Sequence, residues 1–459
     1  MASRRGLAAF VAPLLILVAC TESATPPQPT APPDAFAPTP TIGPSTTTRP
    51  APTTTLNEER VLLRRVDPVS LDPITTFEPI PMGDWLWGPK TSPDGRYLAA
   101  TINQESAPNS ELRLIDIQSW VPVTSWPESG DFIVHVNEFG SVYFITYRSS
   151  PEFRMAAVDG AESTLVVALA NTVSVWGAEH LSDEEYVIFG THMATPSGPE
   201  QALVGVVDAN TRTVEELALP AVGIGAVDPE SQGPWASYLY TSPSFTLDRT
   251  RPRVLIVHGD EDVVTELDLS TGQATEHPFE SSAAGSPETG ARRWSAISPD
   301  GQFLYVSTRA VELIEDDDNW LVRTRPGGVT SLDTSTWEVV ARTDEPISDV
   351  YVSPGGDRLL ASGYTTEESE TVSRSESSGL YLLDPSDLSV LTHYPAERQD
   401  QGWGPVTFSE AGSIAYVSTW LGMQRVHALE LATGEMLSTA ENLEFLDMIG
   451  PVGVLASTG

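Results

Sequence analysis

Residues 92–100 read Ser-Pro-Asp-Gly-Arg-Tyr-Leu-Ala-Ala, and residues 298–306 read Ser-Pro-Asp-Gly-Gln-Phe-Leu-Tyr-Val. Both stretches predict a tight turn that leads into an apolar strand, because Pro fixes φ and Gly accepts a positive φ. Weaker copies of this turn-and-strand unit stand at 137–141, 182–185, 247–251, 353–357, 409–413 and 450–453. The unit therefore recurs along the whole chain after its N-terminal segment.

A second unit, an apolar strand that ends in an acidic residue before a turn, alternates with the first. It is clearest at residues 114–116, Leu-Ile-Asp, and at 267–272, Leu-Asp-Leu-Ser-Thr-Gly. Its acidic residues are Asp67, Asp116, Asp159, Asp208, Asp268, Asp333, Asp384 and Glu430. Each period thus predicts two hairpins, and four strands per ~40 to 50 residues are typical of a propeller blade. Sandwich domains need ~100 residues and β-helix rungs far fewer, so the period favours a propeller over both.

The ends of the repeat predict how the ring closes. The folded part begins with an acidic-strand unit at 61–67 and ends with a turn-and-strand unit at 448–457. Joined, the two make one blade, and closure removes the exposed edges that an open array would leave. We therefore expect residues 57–459 to form an all-β, eight-bladed β-propeller, with seven blades as the alternative, closed by a blade shared between N- and C-terminal strands.

Together the two units resemble the bacterial YVTN and WD40-like β-propeller repeats. The consensus of that family is close to Ser-Pro-Asp-Gly, a Leu-Tyr-Val strand and an Asp-x-x-Thr-Gly turn. The segments of this sequence that match it best are 305–308 and 416–419. The resemblance covers residues 57–459, with about three sharp copies, and implies a ring around a central channel. It does not indicate an activity, because propellers host many functions.

The N-terminus predicts export and a lipid anchor. Arg4 and Arg5 precede an apolar stretch at 7–19 that is too short to span a bilayer, so residues 1–19 are expected to be a signal peptide. The run 17–20, Leu-Val-Ala-Cys, resembles the bacterial lipoprotein lipobox, which implies that Cys20, the single cysteine, is acylated. The alternative is an ordinary secretory signal with an incidental cysteine. The expected location is the outer side of the bacterial cytoplasmic membrane, anchored by lipid.

The segment after the cysteine predicts a tether. Residues 20–56 hold the lipidated cysteine and a linker of mostly Pro, Thr, Ala and Ser, which cannot bury enough apolar area to fold. As polyproline II at ~3.1 Å per residue, such a stalk reaches at most roughly 110 Å.

Charge and composition limit the partners, sites and activities that the chain can have. The 63 acidic residues against 25 basic ones give a net charge of −38, which excludes nucleic acid as a direct partner. A single cysteine excludes an intrachain disulfide and a thiolate zinc site. A serine hydrolase would need a Gly-x-Ser-x-Gly elbow and an α/β domain, and the sequence has neither. No cofactor is predicted, although calcium or another divalent metal stays open, and we expect a monomer.

The candidate binding residues are tryptophans that stand just before the turn-and-strand unit in alternate blades: Trp87, Trp176, Trp294 and Trp403. If their rings gather at the channel mouth, they offer an aromatic floor to a carbohydrate, an apolar side chain of a protein or a cation. The alternative is that each indole packs between neighbouring blades. Long loops are expected at 191–201, 311–328 and 365–379, with an insertion at 228–242, which would place a binding surface on one arc.

Metal candidates are few. The histidines show no His-x-His or His-Glu-x-x-His pair, and the candidates are His180, near the start of its blade's inner strand, and Glu179 beside it. The alternative for both is a surface or hydrogen-bonded core position. We therefore expect a ligand- or protein-binding, scaffolding module rather than an enzyme. A metal-assisted lyase, lactonase or hydrolase with its site on the channel axis, and an envelope assembly factor, are the alternatives.

Overall fold

The turn-and-strand unit folds as the sequence predicts. At the first copy the amide of Tyr97 donates to Ser92 Oγ at 2.9 Å, and that hydroxyl donates to Asp94 Oδ1 at 2.5 Å. Gly95 has a φ of +67°, a conformation that strains any residue with a Cβ. The same two side-chain bonds form within residues 298–303. The serine hydroxyl therefore ties each turn to the start of the following strand.

The acidic-strand unit ends in a turn that its own carboxylate caps. Asp268 accepts hydrogen bonds from the amides of Ser270 at 2.8 Å and Thr271 at 3.0 Å, and Gly272 N–H donates to the Asp268 carbonyl. These bonds lower the pKa of Asp268, the Ser270 hydroxyl contributing most. The fifth residue of the turn has a left-handed φ. It is glycine at 272 and 434, whereas other turns of this kind hold Leu71, Trp120, Arg212, Trp337 and Leu388 there.

The computed structural model describes residues 61–83, 85–103, 110–128, 130–182, 184–193, 200–223, 225–226, 240–281, 291–316, 319–368, 373–398, 401–409, 411–420, 425–440, 447–449 and 454–458. All regular elements in these ranges are β-strands, as expected. None of the described residues belongs to a helix with the length and apolar character needed to cross a bilayer. The predicted signal peptide (1–19), Cys20 and the linker (20–56) lie outside these ranges.

Most strands form antiparallel four-stranded units. Unit 1 combines both ends of the chain: β1 (Val61–Arg65), β2 (Ile80–Pro81), β33 (Asp447–Ile449) and β34 (Val454–Thr458). Units 2 and 3 hold β3 (Trp85–Thr91), β4 (Tyr97–Asn103), β5 (Glu111–Asp116), β6 (Val121–Trp126), β7 (Phe132–Val136), β8 (Val142–Tyr147), β9 (Pro151–Ala156) and β10 (Thr164–Ala168). Unit 4 holds β11 (Ser174–Ser182), β12 (Glu185–Met193), β13 (Glu200–Asp208) and β14 (Thr213–Gly223).

The remaining units follow a short two-stranded pair, β15 (Gly225–Ala226) with β16 (Tyr240–Thr241). Units 5 and 6 hold β17 (Ser244–Asp248), β18 (Arg253–Val257), β19 (Val263–Asp268), β20 (Ala274–Pro278), β21 (Ala291–Ile297), β22 (Phe303–Asp316), β23 (Asn319–Asp333) and β24 (Val339–Thr343). Units 7 and 8 hold β25 (Asp349–Val352), β26 (Leu359–Glu368), β27 (Ser373–Leu383), β28 (Val390–Tyr394), β29 (Gly402–Phe408), β30 (Ile414–Trp420), β31 (Arg425–Glu430) and β32 (Glu435–Ala440).

The units are arranged in a closed ring. Strand β3 contacts β7, β7 contacts β11, β11 contacts β17, β17 contacts β21 and β21 contacts β25. The path continues from β26 to β29 and from β30 to β33, and β33 contacts β3. A ring of antiparallel four-stranded sheets with their first strands innermost is a β-propeller, so the predicted all-β propeller architecture is confirmed.

The predicted sharing of a sheet by the two ends of the chain is present. Strand β1 pairs with β34 from Val61↔Thr458 to Arg65↔Val454, and β2 continues the sheet outward. Val61 and Leu63 are buried in the apolar cluster between units 1 and 2. The first described strand therefore contributes both backbone pairing and apolar packing to the place where the ring closes.

The sheets are not all separate. Strand β23 of unit 6 pairs with β26 of unit 7 from Val322↔Glu368 to Thr324↔Thr366, which merges the two units into one eight-stranded sheet. The described part of the chain thus has six separate four-stranded sheets and this merged one, besides the short pair. The number of separate sheets therefore differs from the predicted eight blades, because two adjacent hairpins are long enough to meet.

Candidate functional site

The four candidate tryptophans all lie on the first strand of a unit. Trp87 is on β3, next to Gly88, which has a φ of +54°, and its side chain lies outside the described part of the structure. Trp176 on β11 meets Phe245 of the next unit edge to face, with ring centroids 6.1 Å apart. Trp294 on β21 donates from Nε1 to the Val350 carbonyl of the next unit at 3.0 Å. Trp176 and Trp294 thus make the contacts of the packing alternative.

Trp403 lies in the apolar cluster between units 7 and 8, beside buried polar side chains of unit 8. Its side chain is 5 % exposed, and its ring lies 5.0 Å from that of His427, which is equally buried. Trp403 Nε1, Thr419 Oγ1 and His427 Nε2 are buried without a hydrogen-bond partner in the structure. Burial lowers the pKa of His427 to about 4, and the charge of Arg425 adds to the effect. Burying polar groups without hydrogen-bond partners costs free energy, and the cost is lower when the imidazole of His427 is neutral.

The two metal candidates lie at different contacts: His180 is in an aromatic cluster between units 3 and 4, whereas Glu179 contacts Arg249 of unit 5. The His180 ring stacks on His135 with centroids 4.0 Å apart and planes 14° apart. Glu179 accepts a hydrogen bond from Arg249 Nη2 at 3.1 Å. Stacked imidazoles direct their nitrogen lone pairs along parallel planes instead of toward one point. The pKa of His135 is lowered to about 4, chiefly by burial and further by the positive charges of His180, Lys90 and Arg249.

Sequence reasoning missed His135, although it stands two residues before the turn at 137–141, in the same register as Lys90 in unit 2. Aligning the repeats on their turns would have identified this position. Among the described residues, no group of three or more His, Cys, Asp or Glu side chains is placed to hold a metal ion.

Two predicted long loops are extended hairpins instead. Strands β22 and β23 run to the tip of the segment expected at 311–328, and β26 and β27 do the same in the segment at 365–379. Pairing with β21 stops at Ala291↔Ala310, and beyond Ala310 β22 continues for six residues, or about 20 Å. We call the joined upper parts of these strands, residues 310–316, 319–325, 364–368 and 373–379, the hairpin wall. The segments at 191–201 and 228–242 lie largely outside the described residues.

The two faces of the hairpin wall differ in chemistry. On one face, opposite charges are neighbours: Arg323 pairs with the directly opposite Glu367 at 2.5 Å, Arg325 pairs diagonally with Glu312, and Arg374 lies 4.0 Å from Glu367. Exposed ion pairs of this kind add about 0–1 kcal/mol each to stability. A charge mosaic of this kind is better suited to selecting a partner than to holding the fold together.

The opposite face of the hairpin wall is buried. Val311, Val322 and Thr324 are at most 2 % exposed, and the hydroxyls of Thr324 and Thr366 lie 2.6 Å apart across the junction of the two hairpins. The hydroxyl pair supplies a hydrogen bond at the point where the two units merge. The wall is therefore packed on one side and available on the other.

An arginine anchors the base of the hairpin wall. Arg309 Nη2 on β22 donates to both carboxylate oxygens of Asp349 on β25, at 2.9 and 3.2 Å. Its guanidinium lies 4.1 Å from the ring centroid of Tyr364 on β26, a cation–π distance. Sequence reasoning did not find these residues, because they are 40 and 55 positions apart and follow no repeat motif. Together they fix the relative position of the two hairpins.

Comparisons with known proteins agree on the fold. No protein-family model and no curated protein sequence matches this chain. Among solved structures, it is similar to dihydro-heme d1 dehydrogenase NirN in complex with DHE, with 14 % identity, a TM-score of 0.51 and coverage of 83 % of this chain and 73 % of that one. It is also similar to Saccharomyces cerevisiae Sqt1, with 9 % identity, a TM-score of 0.51 and coverage of 82 % and 95 %. At such identity the similarity concerns the fold alone.

Proposed function

We propose that this chain is an exported, lipid-anchored β-propeller of eight blades whose hairpin wall binds a protein or carbohydrate ligand, and that it acts as a binding or scaffolding module. Eight blades are supported by the contact path, which passes through units 6 and 7 one after the other even though their outer hairpins merge. Each of these units also has its own complete set of four strands.

The hairpin wall is the observation that carries the proposal. Strands β22 and β23 have 14 and 15 residues, against seven and six for β4 and β5 at the same position in unit 2. The inner strand β21 does not accompany the extension, because its pairing with β22 stops at Ala291↔Ala310. The extension therefore adds a rigid, charge-patterned surface that the fold does not require. Surfaces built beyond the need of the scaffold are where binding is most often found.

The lipid anchor rests on the lipobox resemblance at 17–20 and on Cys20 being the only cysteine. Two or three acyl chains hold a protein stably on a bilayer. With the proline-rich tether between anchor and ring, the ligand would be met at a distance from the membrane.

The test is site-specific photo-cross-linking in intact bacteria that express the full chain. A photoreactive residue would replace Arg325 or Arg374, whose side chains are 55 % and 75 % exposed on the charged face of the wall. Matched controls place it at Val69 and Leu165, which are exposed on other units. We expect a discrete adduct from the wall positions and none from the controls. Equal labelling at all four positions, or none at the wall, would refute the proposal. Stoichiometric metal with turnover in the purified domain would favour the enzyme alternative.

A further inference from the structure

A shallow apolar groove lies on the outer side of units 1 and 2. Its volume is about 500 Å³, and it lies where the outer strand β2 meets the turn between β5 and β6. Aromatic and proline side chains dominate the lining: Phe77, Pro79, Ile80, Pro81, Trp120 and Pro122. Grooves of stacked aromatic and proline rings are the surfaces on which polyproline II segments dock, because these segments have no internal hydrogen bonds and expose flat apolar rings.

The aromatic residues of the groove are held in place. The rings of Phe77 and Trp120 meet edge to face, with centroids 5.9 Å apart. The guanidinium of Arg65 lies 4.7 Å from the Phe77 ring centroid, and Trp120 Nε1 donates to the Glu78 carbonyl at 2.6 Å. Trp120 also occupies the left-handed position of its turn, with a φ of +57°, where glycine would be less strained. The indole is thus fixed at the groove before any ligand arrives, which lowers the entropy cost of binding.

In the sequence, a proline-rich segment precedes the strand that pairs with the groove residue Ile80. Residues 21–56 contain ten prolines and only three charged residues, Glu22, Asp34 and Arg49. Such a segment favours polyproline II and brings little charge to a molecule of net charge −38. It enters the ring at Val61, whose amide donates to Gly83 O at 2.7 Å, two residues beyond the groove residue Pro81.

The distance between the segment and the groove is short. Leu63 pairs with Ile80, so the groove runs beside the strand that follows the segment. Residues 53–60 span up to roughly 26 Å when extended, whereas the groove residues 76–81 extend over about 20 Å. A tethered segment this close to its site has a millimolar effective concentration, so even weak intrinsic affinity suffices.

We propose that the groove binds the chain's own proline-rich segment, within residues 26–52, as a polyproline II helix. Docking would hold the end of the tether against the ring and shorten the reach between membrane anchor and propeller. This surface is distinct from the hairpin wall, so the two proposals stand or fall separately.

The first experiment compares amide hydrogen exchange in two soluble forms, one that starts at Thr21 and one that starts at Asn57. We expect residues 76–83 and 119–123 to exchange more slowly when the segment is present, with equal rates elsewhere. The second titrates the shorter form with a synthetic peptide of residues 26–40 and with a control peptide whose prolines are replaced by alanine. Only the proline-rich peptide should bind.

The matched variants are Pro122→Glu, which places a charge at the exposed rim of the groove, and Val340→Glu, which does so at an exposed site of unit 6. We expect Pro122→Glu to weaken peptide binding by about tenfold and to abolish the protection, and Val340→Glu to change neither. Absence of both protection and peptide binding overturns the proposal. So does equal binding of the two peptides. Binding of the peptide without protection in the longer form would assign the groove to a proline-rich segment of another protein, which also overturns it.

Discussion

The pairing of β1 with β34 predicts that the ring depends on a strand at the very start of the folded part. A chain that begins at Asp67 loses Val61, Leu63 and Val66, all at most 2 % exposed. Burial of each such side chain contributes about 1.5–3 kcal/mol, so their loss removes roughly 5–9 kcal/mol. Strand β2 also loses its partner, and β34 becomes an open edge. Because whole domains are stable by about 5–15 kcal/mol, we expect this chain to be largely unfolded.

The assay is urea denaturation followed by tryptophan fluorescence and circular dichroism. The reference is the chain that begins at Asn57, which retains the strand. A milder perturbation is Leu63→Ala, which we expect to lower the free energy of unfolding by about 2–5 kcal/mol. The control is Val69→Ala: Val69 is 48 % exposed, so the substitution should change the free energy of unfolding by less than about 0.5 kcal/mol. If the chain that starts at Asp67 shows the same denaturation midpoint and slope as the reference, the closure of the ring by β1 and β34 is refuted.

Four further outcomes are expected. The pKa of His427 is lowered to about 4, so between pH 6.5 and 4 the unfolded chain takes up a proton that the folded chain does not. The free energy of unfolding therefore falls as the pH drops through that window. His427→Gln should reduce this fall by on the order of 3 kcal/mol in denaturation curves. Arg212→Gly should raise the free energy of unfolding by up to about 1 kcal/mol because it relieves the left-handed φ of +56°, whereas Arg212→Ala should give no gain. Trp294→Ala should cost about 3 kcal/mol if the indole packs between units, and a loss below about 1 kcal/mol together with weakened ligand binding would support the aromatic floor instead. Cys20→Ser should move the processed protein from the membrane to the soluble fraction, and continued membrane association would contradict the lipobox interpretation.

The fold was predictable because its signals are local and repeat. A Ser-Pro-Asp-Gly turn needs only neighbouring residues to form, as the Ser92 and Asp94 bonds show. The same holds for the Asp268 turn, whose carboxylate bonds lie within three residues. The sheet shared by the first and last strands was also predictable, because the repeats begin with an acidic-strand unit and end with a turn-and-strand unit.

The candidate site was less predictable, because its contacts cross between units without a motif. The bond from Arg309 to Asp349 joins residues 40 positions apart, and the alignment of Thr324 with Thr366 depends on two hairpins being equally long. The segments that became these hairpins contain polar and charged residues, so composition favoured loops. Their alternation on the strand, with Val311 buried and Glu312 half-buried, is visible only once the register is known.

The acidity of the chain has a structural side that its solubility alone does not explain. Asp67, Asp208, Asp268, Asp333 and Asp384 each accept backbone hydrogen bonds within their own turn. Because each of these five carboxylates caps its own turn, part of the acidic composition recurs with the repeat for the same local reason. The basic residues are used differently: Arg309 and Arg323 bridge adjacent hairpins, and Arg249 bridges units 4 and 5. In this propeller, acidic residues therefore cap turns within individual units, whereas arginines act in both places: Arg253 binds Asp248 within unit 5, and Arg309 binds Asp349 across units 6 and 7.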